Sequence, residues 1–68
     1  MEAKILSEDK MYDREKKYFK YKGIVNGKLF EGEHVYGTGA YITLTEYKGL
    51  NQEEVNAAVE AIREFGLR

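Results

Sequence analysis

Cysteine is absent from this 68-residue chain, which excludes disulfides and thiolate metal sites. That absence fits a reducing compartment. No apolar run approaches the roughly 20 residues that a helix needs to cross a bilayer. Residues 1–10 are too polar for a secretory signal. The expectation is a cytoplasmic protein that does not engage a membrane. Catalytic residue types are also scarce, since Ser7 is the only serine, His34 the only histidine, and Asp9 and Asp13 the only aspartates. An excess of one charge is lacking too. The net charge is −1, which argues against a partner held mainly by electrostatics.

The charges that are present are unevenly spread. Lys10, Arg14, Lys16, Lys17, Lys20 and Lys22 stand against Asp13 and Glu15, so residues 10–22 are basic. Glu53, Glu54, Glu60 and Glu64 stand against Arg63, so residues 51–65 are acidic. Either run could bind a partner of opposite charge, or be a solvated face.

The strongest local signal is Asn26-Gly27, because both central positions of a type I′ hairpin turn need φ > 0. Pairing outward from it sets Ile24 opposite Leu29, Lys22 opposite Glu31, Lys20 opposite Glu33 and Tyr18 opposite Val35. The other face pairs Gly23 with Phe30, Tyr21 with Gly32 and Phe19 with His34. Each strand glycine thus falls opposite an aromatic ring that covers its bare backbone. A third strand joins if Tyr36 pairs with Ala40 across a three-residue loop, Gly37-Thr38-Gly39, with Gly39 left-handed. That register aligns Ile42 and Leu44 with Phe19, Tyr21 and Phe30. A one-residue slip would turn both outward. It also pairs Glu31 with Thr45 and Leu29 with Tyr47.

A helix follows. Asn51 and Glu54 have capping-box spacing, and Leu50 and Val55 the spacing of a hydrophobic staple. Val55, Ala58, Val59, Ile62 and Phe65 form one apolar stripe. Gly66 is expected just past the helix end, with Leu67 folding back on Ile62. The fold class is therefore α+β: a three-stranded antiparallel meander (about 17–25, 28–36 and 40–47) with a C-terminal helix (about 52–65) on one face. Residues 1–68 read as one domain, in which 17–68 form the βββα core. For residues 1–16, a short helix or turn capped by Ser7 is preferred over a fourth strand across residues 3–6 or a frayed tail.

Chemistry finds little support. Ser7 has no expected contact with His34, so a triad lacks its geometry. His34 reads as a residue of the core edge beside Phe19 and Ile42. Glu31 and Glu33 share a face but stand opposite Lys22 and Lys20, as cross-strand ion pairs would. Gly37-Thr38-Gly39 joins two strands and does not open a helix, so it lacks the amides that hold phosphate. A domain this small has only a few kcal/mol of margin, and a deep polar pocket would consume it. No catalytic residue, cofactor, metal or small-molecule substrate is expected.

The outward sheet face is the candidate site. Its expected rows are Tyr18-Val35-Tyr41, Lys20-Glu33-Thr43, Lys22-Glu31-Thr45 and Ile24-Leu29-Tyr47. The candidate contact residues are Tyr18, Lys20, Lys22, Leu29, Val35, Tyr41, Thr43, Thr45 and Tyr47. Apolar, tyrosine-bearing ends flank a charged middle, a pattern that marks interaction sites. The same face would instead be a second small core if residues 1–16 folded over it. The leading expectation is a small protein-binding regulator or inhibitor, using this face or a sheet edge, with homodimerisation as a variant. Very small, cysteine-free, non-catalytic proteins are frequent among phage and mobile-element products.

The alternative is nucleic-acid binding by the sheet face and the basic segment. A helix, three antiparallel strands and a second helix resemble the element order of the double-stranded RNA-binding domain. The sheet with its C-terminal helix is similar to the arm-binding domains of tyrosine recombinases, which read DNA with a three-stranded sheet. Both resemblances are of topology across most of the chain, and no motif accompanies them. The first implies phosphate-gripping lysines at the start of the last helix, where this chain has Asn51-Gln52-Glu53-Glu54.

Overall fold

A computed structural model describes residues 1–37 and 39–66, the side chain of Asp13 excepted. Four antiparallel strands form one sheet in the order of the chain: β1 (Ala3–Asp13), β2 (Lys16–Val25), β3 (Lys28–Tyr36) and β4 (Ala40–Glu46). Helix α1 (Gln52–Gly66) packs on one face. The α+β class is as expected, but the sheet has four strands where three were expected. Residues 3–13 form neither the short helix nor the frayed tail. They pair with β2 along their length. The helix-first order of the double-stranded RNA-binding domain is therefore not the order of this chain.

The β2–β3 hairpin follows from its turn. Asn26 and Gly27 have φ of 50° and 75°, and the register from Ile24–Leu29 to Tyr18–Val35 is the one the sequence implies. Tyr36 pairs with Ala40, giving the expected loop length. The left-handed conformation expected at Gly39 depends on Thr38, which lies outside the described residues. Gly23 lies under the Phe30 ring as expected, because a Cβ there would overlap that ring. Gly32 differs. A Cβ on it would come within 2.7 Å of Ile62 Cδ1 and 2.9 Å of Leu44 Cδ2, so the helix and β4, not its register partner Tyr21, make the nearest cover.

Two bulges, each one extra residue in an antiparallel pair, adjust the edges. Between Ile5–Gly23 and Ser7–Lys22 the register shifts by one at Leu6. Ala3 and Ile5 therefore face the helix before the bulge, and Glu8, Lys10 and Tyr12 after it. The second bulge sets Gly32 against Leu44 but Glu31 against Glu46, leaving Thr45 unpaired. The expected pairs Glu31–Thr45 and Leu29–Tyr47 do not form. Tyr47 has left the strand, its carbonyl accepting from the Leu50 N–H (3.1 Å) in a turn where Gly49 has φ 89°.

The core lies between sheet and helix. Tyr21, Val25, Phe30, Ala58 and Ile62 are its buried members, with Phe19, Ile42, Leu44, Leu50 and Phe65 packed around them. The helix turns Glu54, Ala58 and Ile62 fully inward, while Val55 and Val59 are only half-buried at the margin of the stripe. Gly66 belongs to the helix and does not stand beyond its end. Its place is set by packing, since a Cβ on it would lie 3.0 Å from His34 Nδ1 and 3.4 Å from the Tyr36 hydroxyl. The Leu67 fold-back lies outside the described residues. No helix is long and apolar enough to cross a membrane among the described residues.

Candidate protein-binding surface

Fifteen helical residues span about 22 Å at 1.5 Å per residue, and one helix covers one side of the sheet. Among the described residues no element lies on the other side. The alternative in which residues 1–16 cover that side is overturned, because β1 extends the sheet edgewise. Strand alternation then decides what the bare face displays.

One row crosses all four strands: Met11, Tyr18, Val35 and Tyr41. Tyr18, Val35 and Tyr41 align as the sequence implies, and β1 adds Met11. Val35 is only 2% exposed although it is not part of the helix-side core. Its register partners Tyr18 and Tyr41 flank it on the open face. Met11 is 49% and Tyr41 57% exposed, while Tyr18 is half-buried. The result is a partly desolvated apolar ridge open to solvent on one side.

Beside the ridge lie charged rows, Asp9-Lys20-Glu33-Thr43 and then Ser7-Lys22-Glu31-Glu46. Lys20 and Lys22 are exposed, as are Thr43 and the bulged Thr45. These rows frame a depression of about 170 Å³ lined in part by Asp9, Lys20, Lys22, Glu31, Glu33 and Thr45. Lys20 and Glu33, and Lys22 and Glu31, are register partners. Even so, the ion pairs closed among the described residues are Lys28–Glu54 and Arg63–Glu60, so the expected cross-strand pairs stay open. Leu29, 68% exposed, stands at the hairpin end beside Ile24. Tyr47 is 52% exposed in the turn after β4 and does not share a row with Leu29.

Alternation also divides the basic run. Lys16, Lys20 and Lys22 take the parity of the open face, Lys10 and Lys17 that of the helix side. A single basic stripe of the kind that tracks a phosphate backbone is not formed by them.

The helix side carries two further features. At the start of α1 the capping box is reciprocal: Glu54 N–H donates to Asn51 Oδ1 and Asn51 N–H to Glu54 Oε1, both at 2.9 Å. Asn26 Nδ2 (3.0 Å) and Lys28 Nζ (2.9 Å) also donate to this carboxylate, which is 1% exposed. The Asn51 amide, then Lys28 and Asn26, hold its pKa down at about 2. Phe65 and Gly66 stand at the other end of α1. A groove of about 270 Å³ opens there between Lys10, Phe19, Tyr36 and Phe65.

His34 lies next to that groove. It is buried, stacked on Tyr36 at 4.2 Å, with its Nδ1 3.1 Å from the Tyr36 hydroxyl. Burial first, and then the Arg63 charge, lower its pKa. Burial, followed by the facing Glu8 carboxylate, raises that of Tyr21. Ser7 is on the open face and His34 on the helix face, so the sheet separates the only serine from the only imidazole. Among the described residues no three His, Cys, Asp or Glu side chains gather as a metal site would require.

Asp9 and Met11 join this surface through β1, which the sequence does not announce because Arg14-Glu15 gives no turn signature. Compared with protein-family models, curated proteins and solved structures, the chain matches none.

Proposed function

We propose that this chain is a small, non-catalytic protein-binding module, a regulator or inhibitor that docks its open sheet face on a larger partner in the cytoplasm. One observation carries the reading: an apolar ridge, Met11-Tyr18-Val35-Tyr41, lies on a face that no other element covers among the described residues. Tyrosine and methionine supply contact area at small entropic cost, and the flanking charges supply orientation. The cysteine-free composition is the support for a reducing location.

The test is affinity capture from the source cell with wild-type and Met11→Ser/Tyr41→Ser baits. Loss of a specific protein by the double variant, with unchanged circular dichroism, is the expected result. A folded variant that keeps every partner would overturn the reading. A gel shift with mixed-sequence DNA or RNA at low salt and micromolar protein would favour nucleic acid as the partner.

A further inference from the structure

The two edges of the sheet are unlike. β1 carries Lys4, Glu8, Asp9 and Lys10 and is bulged at Leu6. Charges and bulges of this kind keep an edge from pairing with another chain. β4 begins Ala40-Tyr41-Ile42-Thr43-Leu44-Thr45, without a charge before Glu46, and its bulge falls only at Thr45. Its β-branched and aromatic residues suit a pleated sheet. Among the described residues, β4 pairs with β3 on one side and with no strand on the other.

We infer that β4 pairs antiparallel with β4 of a second copy, joining two four-stranded sheets into one of eight strands. A two-fold contact must be self-complementary. Setting Thr43 against its own copy places Ile42 opposite Leu44 of the second chain, and Leu44 opposite Ile42. No like charges meet in this register, and threonine pairs are favourable across strands. Ile42 and Leu44 lie on the helix side only half-buried, so the second copy extends the cover of both. The blunted β1 edges then stand at the outside, which closes the assembly at two chains. The contact differs from the open-face reading in using the backbone of the β4 edge and needing no other protein, although Tyr41 and Thr43 belong to both surfaces.

Sedimentation velocity of the purified chain over a concentration series tests this. The expected mass rises towards twice that of the monomer. Thr43→Lys sets two ammonium groups face to face and is expected to weaken association at least tenfold. An equimolar mixture of Thr43→Lys and Thr43→Glu is expected to recover a mixed dimer. A wild-type chain that stays monomeric at every concentration overturns the inference. So does a dimer untouched by Thr43→Lys but lost with Tyr18→Ser, since the copies would then meet through their open faces. A monomeric wild type leaves capture of a partner by the ridge untouched, whereas a dimer lost with Tyr18→Ser would make the second copy the occupant of the ridge.

Discussion

At its N-terminal end α1 meets the β2–β3 turn through Asn51, Glu54, Asn26 and Lys28, whereas at its C-terminal end a glycine lies on His34 and Tyr36. The first junction is directional. A carboxylate accepting from three residues fixes the helix start to a particular turn. The second depends on close approach and ring stacking, which tolerate small shifts but not added volume. The two junctions also answer to pH in different ranges, because one holds a carboxylate and the other an imidazole.

Ile62, fully buried between the junctions, should give the largest loss when shortened. Ile62→Ala is expected to cost about 2–5 kcal/mol in chemical denaturation. At the C-terminal junction, Gly66→Val forces branched carbons against His34 and Tyr36, at an expected cost of about 1–3 kcal/mol. A neutral result would show that this junction is loose. At the N-terminal junction, Asn51→Ala removes the cap and should cost about 1 kcal/mol.

The pH predictions sharpen the contrast. Glu54 has a lowered pKa when folded, so its stabilisation is complete above its ordinary value near 4.5 and is lost as pH falls towards about 2. Denaturation curves of Glu54→Gln should therefore flatten across that acid range relative to wild type. The smallest effect belongs to His34, also lowered, whose contribution is complete above its ordinary 6.5 and declines below it. An NMR titration of its ring protons should place the midpoint under 6.5. A midpoint above that value would mean the ring is not desolvated.

Much of this architecture can be read from residue order. Asn26-Gly27 dictates a turn with two positive φ angles, and the glycine-aromatic pairs then leave one register. Asn51 and Glu54 specify a helix start that forms as their spacing implies. β1 is different for two physical reasons. Its turn places Arg14 at φ 51°, a conformation for which arginine gives no signal. Its bulge at Leu6 changes which residues face inward, so no period-two pattern survives along residues 3–13. The same loss hid Met11, and with it a quarter of the ridge. The Thr45 bulge likewise moved Glu46 into the place assigned to Thr45.

Val35 has one more consequence. Val35 is already hidden from solvent on the open face, so the centre of the ridge has little side-chain freedom left to lose when a partner arrives. Docking on that ridge would then have mainly Met11 and Tyr41 to order, so less conformational entropy opposes the contact than on a surface of loose chains. A preorganised landing strip of this kind suits a chain of 68 residues, which has little folding free energy to spare.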